Sequence, residues 1–232
     1  MLRALLFDFN GLLVDDEPLH FRLFRRVLAE EGIDFAESDY YGRYLGFDDR
    51  DCFAAALADG GRAPDPARVA RLIARKAAYY QEEIRRCGYP FFPGASELVA
   101  AAAAAGWTLG VVSGALRDEV EGALARRGLR AAFKILVTAE DVGRGKPDPE
   151  GYRRALEQLN TEPPLPARLF HPHEVLALED SPAGLEAAAA AGLRTLGVAQ
   201  TYPADRLARA EAVVASVAEL SVARLAELFA AA

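Results

Sequence analysis

Residues 2–14 read LRALLFDFNGLLV, an apolar run that stops at a carboxylate, Asp8, and then at the turn Phe9-Asn10-Gly11. A continuous apolar segment of this kind is a strand buried on both faces, and such strands belong to parallel sheets. Asp8 then stands at the carboxyl end of its strand, the edge where open α/β sheets bind ligands, which makes it a candidate nucleophile or metal ligand. Two residues on, Asn10 carries an amide, which cannot pass protons as an acid could.

Outward from that strand the pattern divides. Residues 17–86 hold no convincing strand and read as helices at 18–31, 37–43, 49–58 and 66–86, with turns at Gly32, Gly46 and Gly60-Gly61. From Phe91 the chain alternates: helix 95–105, strand 107–112, helix 115–127, strand 134–137, helix 150–160, strand 174–178, helix 182–191, strand 193–198, helix 204–210, strand 212–215, helix 217–230. Strands alternating with helices imply right-handed crossovers and a parallel sheet covered on both faces. The expected organisation is an α/β core over 1–14 and 91–232 with a helical insert over 15–90. Pro90 and Pro93 stiffen one of the two connections between them.

Composition narrows the function classes. A net charge of −7 argues against a general nucleic-acid footprint, though a local cluster for one phosphate remains compatible with it. Cys52 and Cys87 share no metal-ligand spacing, and two thiols in 232 residues suit a reduced, cytoplasmic protein. No apolar run reaches the roughly 18 residues of a membrane span, and neither a signal peptide nor a membrane partner is expected. His171 and His173, flanking Pro172 in a polar connection, read as a solvated turn rather than a metal pair. The alanines at 100–105 read as a thin, closely packed helix.

Further candidate sites fall at strand ends. WTLGVV (107–112) leads into Ser113 and Gly114, where a hydroxyl followed by backbone N–H groups at a helix start is either an anion site or simply a cap. Lys146 lies in the turn GRGKPDP (143–149), ahead of Asp148, a candidate cap for the next helix with Pro149 in its first turn. A lysine at the ligand-binding edge can neutralise a phosphoryl group. EVLALED (174–180) ends in Glu179 and Asp180, adjacent carboxylates that repel Asp8 unless a hard divalent cation bridges them; Mg²⁺ is the natural choice. The plain alternative is that Asp180 and Ser181 only cap the helix that follows.

Taken in order, DFNGLLVDDEPLH (8–20), VVSG (111–114), GKPDP (145–149) and LEDSPAG (178–184) resemble the haloacid dehalogenase superfamily. The likeness is to its branch with a helical cap inserted after the first strand, similar to β-phosphoglucomutase and phosphoglycolate-type phosphatases. It implies a Rossmann-like parallel core, a Mg²⁺ site and an aspartyl-phosphate intermediate. Position by position it makes Asp8 the nucleophile, gives the Asn10 backbone carbonyl to the metal, and has Ser113 and Gly114 bind the phosphoryl group. Lys146 then neutralises nucleophile and phosphate, while Asp180 with Glu179 holds Mg²⁺. Glu17, His20 and Arg50 match positions that face substrate from the cap, although Asp48 and Asp49 beside Arg50 equally suit a salt-bridged surface arginine. A phosphonatase would need a Schiff-base lysine in the cap, and Lys76 is expected on a solvated helix.

Asn10 departs from the family, where an aspartate protonates the leaving oxygen and then activates water. Such acid–base catalysis contributes on the order of 10²–10⁴ in rate. Four explanations stand: a substrate with a good leaving group, such as an acyl phosphate; another acid among Asp15, Asp16 and His20; loss of turnover with phosphate binding kept; or an engineered change. The resulting expectation is a Mg²⁺-dependent phosphohydrolase of a small phosphorylated metabolite, monomeric or weakly self-associating. The alternatives are a catalytically silent, regulatory phosphate-ligand binder or a β-phosphoglucomutase-like phosphotransferase.

Overall fold

β1 (Ala4–Phe7) is fully buried because a neighbouring strand flanks each edge and helices cover each face. The structure is a computed structural model describing residues 2–45, 47 and 49–230. The turn expected at Gly46 and the acid expected at Asp48 lie outside the described residues. Two compact units emerge, one formed by 1–15 with 90–232 and the other by 16–89.

The second unit holds α1 (Glu17–Glu30), α2 (Glu37–Asp39), α3 (Asp49–Asp59) and α4 (Pro66–Cys87). The helix expected over 37–43 widens after α2 into a π-helical turn, Tyr40–Tyr44, with both end tyrosines buried. α4 starts where Asp65 accepts from the Arg68 N–H at 2.9 Å and Pro66 fits the first turn. The interior is rich in rings: Phe24, Phe35, Tyr40 and Phe53 pack with Leu57 and Leu72. Cys52 is buried there, and Cys87 is exposed.

The first unit continues with α5 (Ala95–Ala104), β2 (Thr108–Val112), α6 (Arg117–Arg126), β3 (Phe133–Val137) and α7 (Glu150–Thr161). β4 (Val175–Glu179), α8 (Pro182–Ala190), β5 (Arg194–Val198), β6 (Ala212–Val214) and α9 (Val222–Leu228) complete it. All strand pairs are parallel, in the order β3-β2-β1-β4-β5-β6. The alanine run is α5, whose Val99 and Ala102 are buried and which packs on β2. The strand order reverses at β1, the point where doubly wound sheets open a crevice for ligands. Phe7 is in register with both Val111 and Leu178, so the residues just past β1, β2 and β4 gather at one edge.

Two helices expected from the sequence are shorter than read. The segment 204–210 forms a single 3₁₀ turn, Ala204–Leu207, with only Leu207 buried to hold it. The segment 217–230 divides into a 3₁₀ turn, Val217–Glu219, and α9, because Ser221 accepts from the Arg224 N–H at 3.1 Å and restarts the helix. No helix among the described residues is long and apolar enough to cross a membrane.

Candidate active site

Asp8 emerges from β1 with its N–H bonded to the Leu178 carbonyl at 3.0 Å, which fixes its backbone against the end of β4. Asp8, Glu179 and Asp180 each present one carboxylate oxygen within 4.8 Å of the others, and all three are buried. Lys146 bridges two of them, with Nζ 2.6 Å from Asp8 Oδ1 and 2.6 Å from Glu179 Oε1. Burial opposes the charge on Lys146, but the Asp8 and Glu179 carboxylates outweigh it and hold the ammonium above the ordinary lysine value. Three carboxylates face this one ammonium. Burial therefore pushes Glu179 up to about 7 despite Lys146, and burial with the charges of Asp8 and Glu179 pushes Asp180 well up despite a hydrogen bond from Thr201. A divalent cation would relieve that repulsion, so the donor set fits a hard metal ion.

Two glycines make room for the cluster. Gly11 has φ +76°, and a Cβ on it would come within 2.0 Å of Asp180 Oδ2. A Cβ on Gly184 would lie 1.9 Å from Glu179 Oε2, so the last residue of LEDSPAG is small because a carboxylate occupies its side-chain space. Ser181 caps α8 by accepting from the Gly184 N–H at 3.1 Å, whereas Asp180 belongs to the carboxylate cluster.

At the end of β2, Ser113 is buried, and its Oγ accepts from the Ala115 N–H at 3.0 Å. Because α6 begins only at Arg117, Ser113 caps a turn and not the helix. The Arg117 N–H is itself engaged by both carboxylate oxygens of Glu140 at 3.1 Å, so an acid of the same chain already fills that part of the helix N-terminus. Gly114 is exposed beside it. Asp148 Oδ1 accepts from the Glu150 N–H at 3.0 Å, as expected of a cap, with Pro149 one position ahead of the first helical residue. Asn10 is partly buried in the loop that returns to Val14, and the Gln200 amide donates to the Gly11 and Leu12 carbonyls at 3.1 and 3.3 Å.

A family profile described as haloacid dehalogenase-like hydrolase matches residues 2–192. The chain belongs to that family. It is 31% identical over 229 residues to validoxylamine A 7'-phosphate phosphatase of Streptomyces hygroscopicus subsp. limoneus, covering 95% of this chain and 96% of that one. A mutant CbbY from Rhodobacter sphaeroides, solved in complex with xylulose-1,5-bisphosphate, is 31% identical with a TM-score of 0.77, covering 95% of this chain and 97% of that one. The β-phosphoglucomutase of Clostridium difficile shares the fold with a TM-score of 0.80 at 21% identity, covering 99% of this chain and 98% of that one. The Rossmann-like core with an inserted helical unit is thus the fold of a haloacid dehalogenase-like hydrolase.

In the helical unit of this hydrolase, the expected substrate-facing residues enter a polar network. Asp16, fully buried, accepts at Oδ2 from the Tyr80 hydroxyl at 3.0 Å and lies 3.2 Å from His20 Nε2. The His20 ring stacks on Tyr80, and its Nδ1 lies 2.8 Å from Lys76 Nζ. An ammonium only donates, so Nδ1 is the acceptor and the imidazole proton is on Nε2, facing Asp16. Lys76 also ion-pairs with Asp49 at 2.5 Å and lies 4.1 Å from the Phe24 ring centroid. The expectation of a solvated Lys76 is therefore wrong: its side chain is 2% exposed, because Asp49, His20 and the Phe24 ring together replace water around the ammonium. Asp49 pairs with this lysine, while Arg50 is exposed. Glu17 accepts from the Tyr40 hydroxyl.

Sequence reasoning misses Thr201, Gln200 and Tyr152, and names Lys76 only as a lysine on a solvated helix. The sequence pattern marks Tyr152 only as part of a helix, yet its hydroxyl donates to Glu179 Oε1. Burial and the Glu179 charge push that phenol far above its ordinary value, which keeps it a donor. A buried aromatic on a helix carries no local signal that its polar end meets a carboxylate from another strand.

Proposed function

We propose that this hydrolase is a Mg²⁺-dependent phosphatase of a small, sugar-like phosphorylated metabolite, acting in the cytoplasm through an aspartyl-phosphate on Asp8. The observation that carries the reading is the Lys146 ammonium bridging Asp8 and Glu179 inside a buried trio of carboxylates. The substrate class rests on relatives whose names specify a phosphate monoester and a sugar bisphosphate. The helical unit acts as the cap of the family.

In the first step an Asp8 oxygen attacks phosphorus, the P–O bond to the substrate's bridging oxygen breaks, and the electron pair leaves with that oxygen. In the second, water attacks phosphorus, the Asp8 carboxylate leaves, and inorganic phosphate departs. Lys146 offsets charge on nucleophile and phosphoryl group, and Ser113 can donate its hydroxyl proton to a phosphoryl oxygen while its lone pair holds Ala115 N–H. Asp8, Glu179 and Asp180, with the Asn10 carbonyl that the family resemblance adds, would hold Mg²⁺, which would supply further charge neutralisation when bound.

The amide of Asn10 leaves both proton transfers without the usual acid and base. Asp16 is fully buried with Tyr80 and His20, and His20 directs its one proton at Asp16, so both are already engaged within the helical unit. Turnover is consequently slow on alkyl phosphates and faster where the leaving group needs no proton. Asn10 also favours a second reading, a silent phosphate-ligand binder. Phosphate release with Mg²⁺, on a panel of sugar phosphates and acyl phosphates, separates the two. Release above the Asp8→Ala background supports the enzyme, and none on any substrate leaves the binder.

A further inference from the structure

We propose that Tyr152 is a positioning residue of this site, its hydroxyl holding the Glu179 carboxylate where it faces both Lys146 and the cation. The inference rests on the metal-dependent reading above. Tyr152 is fully buried on α7, and its ring belongs to the apolar core formed with Leu6, Val112, Val137 and Ala177. That core asks only for a ring. A hydroxyl at this depth is unfavourable without a partner, and here the partner is Glu179 Oε1, the oxygen that also takes Lys146 Nζ at 2.6 Å.

The ring has a second contact, since Lys146 Nζ lies 5.6 Å from its centroid. Tyr152 therefore touches both partners of the Lys146–Glu179 pair, by its hydroxyl on one and its face on the other. On the opposite side Glu179 is bounded by Gly184, and Ser181 Oγ lies 3.4 Å from Oε2. Without the phenol, the carboxylate loses one of the two donors to Oε1, which leaves Lys146 on that oxygen and Ser181 near Oε2. Outer partners of this kind set the orientation of metal-binding carboxylates without touching the metal.

The test uses the full-length protein with Tyr152→Phe, which keeps the ring and its face on Lys146, and Tyr152→Leu, which loses both. Mg²⁺ alone is titrated by calorimetry and by the rise in Tm. Tyr152→Phe is expected to weaken Mg²⁺ binding by about tenfold and to lower the metal-free Tm by several degrees, the loss of one hydrogen bond to a charged group. Tyr152→Leu should lose metal affinity and lower the metal-free Tm further. A Mg²⁺ affinity for Tyr152→Phe within about twofold of the parent overturns the positioning role and leaves the metal reading standing. Absence of Mg²⁺ binding by the parent, in both readouts, overturns the metal reading and this inference with it.

Discussion

Alanine at Gly184 tests how tightly the site is built. In a helix interior such a change ordinarily stabilises by roughly 0.5–1 kcal/mol. Here the new Cβ would lie 1.9 Å from Glu179 Oε2, 2.1 Å from its carboxyl carbon and 2.3 Å from Oε1. Since contacts under about 3 Å are not tolerated, the carboxylate must move by an ångström or more, and its bonds to Lys146 and Tyr152 break. Each hydrogen bond involving a charged group contributes about 1.5–3 kcal/mol, so two lost bonds less the helix gain leave a net destabilisation of about 2–5 kcal/mol. Urea unfolding in EDTA measures it, and phosphate release with Mg²⁺ should fall in parallel. The decisive comparison is made in a Glu179→Ala background, where no carboxylate remains to collide. There Gly184→Ala is expected to be neutral or slightly stabilising. An equal loss in both backgrounds, or a stabilised single variant, would refute the steric argument.

Other outcomes follow from the same geometry. Glu179 and Asp180 have folded-state values above their unfolded ones, so their contribution to stability is complete below the unfolded values and lost as pH rises through the folded ones. With Glu179 moved from 4.5 to about 7, metal-free protein should lose about 2 kcal/mol between pH 5.5 and 8.5 in urea titrations, and Mg²⁺ should restore more at the higher pH. A flat profile in EDTA would contradict this. Asn10→Asp should raise phosphate release from alkyl phosphates by on the order of 10²–10⁴ and change acyl phosphates far less; equal gains on both would count against a missing acid. In the helical unit, Asp16→Ala strands the Tyr80 hydroxyl and the His20 N–H and should destabilise by about 2–4 kcal/mol in chemical denaturation, whereas Asp16→Asn, which keeps an acceptor, should lose less. Similar values for the two would mean that the network adds little.

The alternating α/β core, the helical insert and the four strand-end motifs are all legible in the order of residues. Each of these rests on local pattern: an apolar run ending in Asp8, a turn carrying Lys146, carboxylates closing a strand at Glu179 and Asp180. Periodicity and turn chemistry act over a few residues, so they are legible one segment at a time. Local pattern is less informative where short capped turns compete with helices, as at 204–210 and around Ser221.

Which groups share an environment depends on the assembled fold. The strand order brings Asp8, Glu179 and Lys146 together although Lys146 is 138 positions from Asp8 in the chain. The same is true of Lys76, which looked solvated on a helix rich in arginine until Asp49, His20 and Phe24 closed around it. Tyr152 and Thr201 became partners of Glu179 and Asp180 through contacts between separate elements. Burial and charge compensation depend on neighbours distant in sequence, and those neighbours exist only once the sheet has formed.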